Sequence, residues 1–372
     1  MTLITLVEGT NHTLSIQDTL FGDRELLEAF DYTKWSAINT CPTWGITRYQ
    51  MNLKEPGGAR AMALEAGHAM HEVFSWVRLA TLVDAVTVPS TSAFAKALFQ
   101  FHGTRLFGHE RLEHISEKIS IATDLPDVCK RGAIAVLDTS GFYDDPRDKR
   151  RTLSNLEEAC YAYINRWRWD HPVWMRDHDD PTSDVGIEIP FEFRAQVTGL
   201  DNFAFRFVGR VDGIHYDANR RLTIHDNKTA SRLSDAWTMS QMTSHQYTGY
   251  CVAASHFTQD VVSRATVLGL AIPQPRSYDL GGFATESMDR EAHHLQRWVD
   301  WIVHTLRIAK QYENDPVNAP KYTHSCNRYF RPCPLIPFCY GDDDEQNRVL
   351  SEMEVQVWSP LERGILEGVG SE

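Results

Sequence analysis

Long apolar runs are missing from this chain. Nothing in its 372 residues approaches the roughly 18 consecutive apolar residues that a membrane helix needs. Met1 to His12 lack the basic-then-apolar layout of a signal peptide, so the cytosol is the expected compartment. Positive charge is scarce too. Lys plus Arg number 37 against 50 Asp plus Glu, a formal net charge of −13. That argues against a surface coated in basic groups for non-specific nucleic-acid binding, though it leaves room for a local basic channel. No internal repeat or low-complexity stretch is visible. With 42% hydrophobic, 11% aromatic and 23% charged residues, disorder, collagen and coiled coil are excluded for the chain as a whole. What is left is one large or two modest domains with a sizeable core. The seven cysteines are an odd count, and in a cytosolic chain they serve metal binding or catalysis more often than disulfides.

A strong helical pattern runs from about Ala61 to Val83, with Met62, Ala66, Ala69, Met70, Val73, Val77 and Leu79 at helical spacing. From Pro89 to about Pro181 the pattern is helical but irregular, with one stripe through Leu153, Leu156, Cys160, Ile164 and Trp167. This region, roughly 80–180, reads as a helical insertion before a sheet. The sheet begins where Ile187, Ile189, Phe191 and Phe193 alternate with Glu188 and Glu192. Phe203, Phe205 and Phe207 alternate next, and a turn at Asp217-Ala218-Asn219 leads into Leu222 to Lys228. A helix over Ser240 to Ser255, a strand over Val262 to Ile272 and a long amphipathic helix over Met288 to Tyr312 complete the pattern. The order predicts an α/β or α+β fold, α/β being the reading adopted, with a central mixed sheet flanked by helices. One domain over 1–345 and a tail over 346–372 are expected, the acidic run Asp342 to Glu345 being solvated and mobile.

Four constellations carry chemistry. Asp212 is followed fourteen residues later by Asp226-Asn227-Lys228. Residues two apart on a strand point the same way, so Asp226 and Lys228 project together, and Asp212 can lie beside them across a hairpin. Two carboxylates and a lysine suit a hard divalent cation, magnesium or manganese, and the water it activates. Gly67 and His71 share a helix face, where the glycine admits a close backbone and the imidazole can reach a metal; His68 is the competing ligand. Gln246 and Tyr250 share a face of the next helix, placed to bind phosphate oxygens or fix the lysine. Cys326, Cys333 and Cys339 cluster near the C-terminus, and Cys41 stands far away beside Pro42. Four thiolates suit zinc or an iron–sulfur cluster and would staple the two ends of the fold. Cys129, Cys160 and Cys251 read as small core residues. The run Arg147, Lys149, Arg150, Arg151 is a candidate DNA contact.

Taken in order, Cys41-Pro42, Gly67-x-x-x-His71, Gly209-Arg210-Val211-Asp212, Asp226-Asn227-Lys228-Thr229, Gln246-x-x-x-Tyr250, then Cys326, Cys333-Pro334 and Cys339, resemble the RecB-type branch of the PD-(D/E)XK nucleases over about residues 36–340. The likeness is to its iron–sulfur members: AddB nuclease domains, CRISPR-associated RecB-like nucleases and bacteriophage nucleases. The spacing Cys326-x6-Cys333 differs from the family's frequent x2 gap. The resemblance implies a restriction-endonuclease-like core and a metal-dependent DNA exonuclease of recombination, repair or phage DNA processing. It implies metal on His71, Asp212, Asp226 and the Asn227 carbonyl, catalysis by Lys228, and Gln246 and Tyr250 as the family's Q-x-x-x-Y motif. It implies a [4Fe-4S] cluster on Cys41, Cys326, Cys333 and Cys339. The expected partner is single-stranded DNA or duplex ends, with a recombination or CRISPR protein alongside and no membrane, in a bacterial or phage-infected host cytosol. A CRISPR spacer-processing nuclease and a weakly active DNA-binding or assembly subunit are the alternatives.

Overall fold

The computed structural model describes residues 13–18, 27–54, 62–85, 92–166, 172–198, 203–272, 282–328, 331–358 and 361. Ala61, Pro89 and Trp167 of the expected helical stretches, and the tail beyond 361, lie outside them. The chain begins with strands β1 (Thr13–Asp18) and β2 (Ala29–Phe30), then helices α1 (Tyr32–Thr40) and α2 (Pro42–Tyr49) and the short β3 (Leu53–Lys54). A run of helices follows: α3 (Met62–Ala85), α4 (Ser92–Phe107), α5 (His109–Ile119), α6 (Leu125–Asp138) and α7 (Leu153–Arg166). Strands β4 (Ile187–Thr198), β5 (Phe203–Tyr216) and β6 (Leu222–Ala230) come next, then α8 (Asp235–Met242) and α9 (His245–Thr258). After β7 (Arg264–Ala271), β8 (Phe283–Asp289) and α10 (Ala292–Gln311) there are only short pieces: β9 (Asn327–Arg328), β10 (Arg331–Pro332), α11 (Ile336–Tyr340), α12 (Asp343–Glu352) and β11 (Glu354–Val355). Among the described residues no helix is long and apolar enough to cross a membrane.

Two compact units emerge. A terminal unit gathers Met1–Arg60, Pro190–Arg210 and Glu291–Ile365; a central unit gathers Ala61–Ile189, Val211–Arg290 and Leu366–Glu372. Strands β4 and β5 contribute to both. In the terminal unit, β1 pairs antiparallel with β4 and β2 pairs parallel with β5. An aromatic core forms there, in which Trp35 meets Phe205, Phe207 and Trp298 at ring-centroid distances of 5.7, 5.4 and 6.4 Å. In the central unit, β5 pairs antiparallel with β6, β6 parallel with β7, and β7 antiparallel with β8. The fold is thus mixed α/β, with strands of both senses flanked by helices.

The apolar stripe of α3 explains the central core. Met70, Val73, Phe74, Val77 and Leu79 are all fully buried, packed with residues of α4, α6 and α7. Gly132 on α6 is needed at this contact: a Cβ there would come within 2.1 Å of the Trp76 indole, whose Nε1 donates to the Cys129 carbonyl at 3.1 Å.

Three elements differ from the sequence reading. The helix expected over Ser240 to Ser255 is two helices, because Ser234 and Ser244 each cap a helix start with a side-chain oxygen. Met288 lies in β8, and α10 begins only after the Glu291–His294 capping box. The acidic run after Gly341 opens α12: Asp342 accepts from the Glu345 N–H, and Asp343, Asp344 and Glu345 fill the first turn, where the helix dipole favours negative charge.

Candidate metal centre

The site lies within the central unit and starts at the β5–β6 hairpin. Its last paired residues are Gly213 and His225, so Asp212 and Asp226 sit one step further along the two strands. β6 is hydrogen-bonded on both edges, to β5 and β7, and Asp226 and Asn227 are both buried on it. Burying carboxylates in a strand interior is costly unless they are compensated, which marks the place as more than structural.

The compensation comes from α3. Gly67 sits so close to β6 that a Cβ would come within 3.3 Å of Thr229 Oγ1. One turn on, His71 Nδ1 lies 3.2 Å from Asp212 Oδ2. The Asn227 N–H donates to the same Asp212 oxygen at 3.3 Å. Two turns beyond His71, the fully buried Arg78 donates to the carbonyls of Asp212 at 3.0 Å and His225 at 3.4 Å, tying both strands at the hairpin end. His68 is solvent-exposed, and His71 is the α3 imidazole that reaches Asp212.

A third donor comes from Glu188, at the start of β4. Ligand atoms of His71, Glu188 and Asp212 lie within 4.8 Å of one another, a spacing at which one cation could be held. Glu188 has a φ of +49°, a backbone region costly for a side-chain-bearing residue and common at functional sites. Ser75 Oγ, on α3 one turn past His71, lies 2.9 Å from Glu188 Oε1 and 2.9 Å from the His71 carbonyl. Sequence reasoning saw Glu188 only as the polar half of a strand alternation. The signal it offered was an acid at the very entry to that strand.

Beside this group Lys228 Nζ lies 2.8 Å from Asp226 Oδ2 and 3.1 Å from Oδ1. The charges tune one another. Burial alone would depress the His71 imidazole, but the Asp212 carboxylate beside it prevails and raises it. Burial would likewise raise Asp212, but His71, then Lys228 and Arg78, hold it well below the usual carboxylate range. Burial lifts the Asp226 carboxyl to about 6, with Lys228 opposing and Asp212 adding to the rise.

The remaining expected residues fall out as follows. Asn227 meets the group through its N–H, a donor that orients Asp212. Gln246 Nε2 donates to Tyr250 Oη at 2.9 Å, so these two residues bond one another along α9. The α9 side chain that reaches Asp226 is Tyr247, which sequence reasoning passed over. Arg147 and Arg151 are ion-paired with Asp145 at 2.7 Å and Asp148 at 2.6 Å; Lys149 is exposed and Arg150 half-buried.

The cysteines belong to the terminal unit. Cys41 ends α1 and starts α2, with Pro42 at the first helical position. The Cys333 N–H donates to the Cys326 carbonyl at 2.7 Å, and Cys339 lies on α11. Burial raises the Cys339 thiol to about 11, and its electrostatic neighbours are Cys41, Cys333 and Cys326. Among the described residues no three of these sulfurs lie within 4.8 Å of one another. Cys129, Cys160 and Cys251 are buried in the central unit, and burial pushes Cys129 and Cys251 up to about 12.

No protein-family model matches the chain, and no curated protein matches its sequence. The geometry defines a site able to hold a divalent cation on one imidazole and two carboxylates, next to a lysine–carboxylate pair.

Proposed function

We propose that the protein is a metal-dependent deoxyribonuclease, a DNA exonuclease of the RecB type. The observation that carries this reading is the adjacency of two parts. One is the ligand group His71, Glu188 and Asp212; the other is Lys228, held against Asp226 on the neighbouring strand. A divalent cation bound there supplies a water of lowered pKa and offsets charge on a phosphodiester. His71, Glu188 and Asp212 hold it. Asn227 and Arg78 keep Asp212 in place, and Ser75 does the same for Glu188. Lys228 is a half-buried cation beside the group, able to orient the attacking water or to donate to a phosphate oxygen. Phosphodiester cleavage draws on these parts together: a hard-cation site and a positive side chain beside it.

The terminal unit completes the reading with a [4Fe-4S] cluster on Cys41, Cys326, Cys333 and Cys339. What supports it is the donor set: three soft thiols, Cys41, Cys326 and Cys333, lie within electrostatic reach of the fourth, Cys339. The cluster is structural, tying residues from both ends of the sequence. At the Arg147 turn a contact with DNA falls to Lys149 and Arg150, since Asp145 and Asp148 already engage the other two.

The test is cleavage of end-labelled single- and double-stranded DNA with Mg2+ or Mn2+. Metal-dependent shortening from the ends, abolished by a chelator and absent on closed circular DNA, is expected. Intact substrate with either metal would refute the reading.

A further inference from the structure

Asp226 Oδ2 has two neighbours, Lys228 Nζ at 2.8 Å and the Tyr247 hydroxyl at 3.3 Å. The Tyr247 ring is fully buried, and its hydroxyl oxygen lies 3.3 Å from Asp226 Oδ2 and 2.7 Å from Gln241 Oε1. A phenol has one proton to give, and here it faces two acceptors. Gln241 is half-buried on α8, a helix with no buried residue, and its Nε2 lies 2.9 Å from Ser240 Oγ. A glutamine amide can present either its oxygen or its NH2 group to the phenol. With the oxygen inward, Gln241 takes the phenol proton. With the NH2 group inward, Gln241 donates to Tyr247, and Tyr247 donates to Asp226.

We propose that Tyr247 is a positioning residue for the reaction: it donates to Asp226 Oδ2 and so fixes the Asp226–Lys228 pair against the metal group, while Gln241 sets which way the phenol proton points. The inference rests on the nuclease reading and deepens it, because both residues act through the Asp226 carboxylate. Tyr247 lies beside the Gln246 and Tyr250 pair in sequence but does a different job: its hydroxyl reaches the buried carboxylate, whereas theirs bond each other.

The experiment compares the parent chain with Tyr247→Phe, Gln241→Glu and Gln241→Leu in steady-state cleavage with Mn2+. Tyr247→Phe removes only the hydroxyl and should lower kcat about tenfold, the loss of one hydrogen bond to a charged group, with KM for DNA and Mn2+ affinity unchanged. Gln241→Glu, an acceptor only, should lower kcat more than Gln241→Leu, which competes for nothing. Parent kcat in Tyr247→Phe, or a loss confined to KM or to Mn2+ affinity, would overturn the proposal. If the parent itself does not cut DNA, the nuclease reading fails, and the contact is still decided by a double-mutant cycle of Tyr247→Phe with Asp226→Asn. Non-additive denaturation midpoints support the hydrogen bond; additive ones contradict it.

Discussion

The His71–Glu188–Asp212 group and the Cys41–Cys326–Cys333–Cys339 group are built in opposite ways. The first takes its donors from long elements: a helix of 24 residues and strands of 12 and 14. Those elements are fixed by core packing, and the donors' charges offset one another before any cation arrives. The second takes its donors from the junction of two short helices, from flanks of two-residue strands and from a five-residue helix. Cys41 is anchored with the core through α1 and α2, but Cys326, Cys333 and Cys339 stand half-buried on or beside segments of two to five residues, which less packing fixes in place. The difference teaches which site is preformed. The carboxylate site should persist without its cation, whereas the thiol site should depend on what it binds.

The largest effect that could break this contrast is on the thiol side. Protein purified without oxygen should be brown, with roughly four iron and four sulfide per chain. Cys333→Ala should bleach it and lower the melting temperature, while Cys129→Ala, Cys160→Ala and Cys251→Ala should keep the colour. A colourless protein with one zinc would retain the staple and reject the cluster. Next comes catalysis. Asp226→Ala or Lys228→Ala should cut Mg2+-dependent cleavage about 100-fold or more with the far-ultraviolet spectrum retained. Parent rates in both variants would place the active site elsewhere.

Acid sharpens the comparison from the other side, because it attacks the central unit away from the site. Burial, with Arg105 adding, pushes the buried His102 imidazole on α4 down to about 4. The unfolded chain binds that proton near the ordinary 6.5 and the folded chain only near 4, so stability falls as pH drops between them. The expected loss is about 3 kcal/mol, and His102→Phe should flatten it in urea titrations. An unchanged slope would contradict this. The smallest effect concerns the imidazole. His71→Ala should weaken Mn2+ binding about tenfold, and His68→Ala should leave it within about twofold, as calorimetric titration would show. Because Asp212 raises the His71 imidazole, a proton competes with the cation. Mn2+ affinity should therefore fall as pH drops below the raised value, more steeply in the parent than in His71→Ala.

Much of the site was legible in the sequence because its residues stand in short local patterns. Gly67 and His71 are one helical turn apart, and Asp226 and Lys228 share a strand face next to a hairpin that a turn signal announces. Glu188 was not legible, since an acid alternating with apolar residues is what any half-exposed strand offers; only its positive φ and its contact with Ser75 set it apart. Tyr247 was hidden by being apolar in pattern, one aromatic among buried helix residues. In the fold, β8 went unread because an edge strand with mostly half-buried or exposed residues carries weak alternation. The break between α8 and α9 lay in one capping serine, which a periodicity window smooths over.

The central claim is that the carboxylate site is a preformed metal centre with Glu188 among its ligands. Crystals soaked in Mn2+ and measured at the manganese absorption edge test it most directly. The account predicts one anomalous peak in the central unit, about 2.0–2.3 Å from His71, Glu188 and Asp212 together. A peak that leaves out Glu188, or none in the central unit, would contradict it.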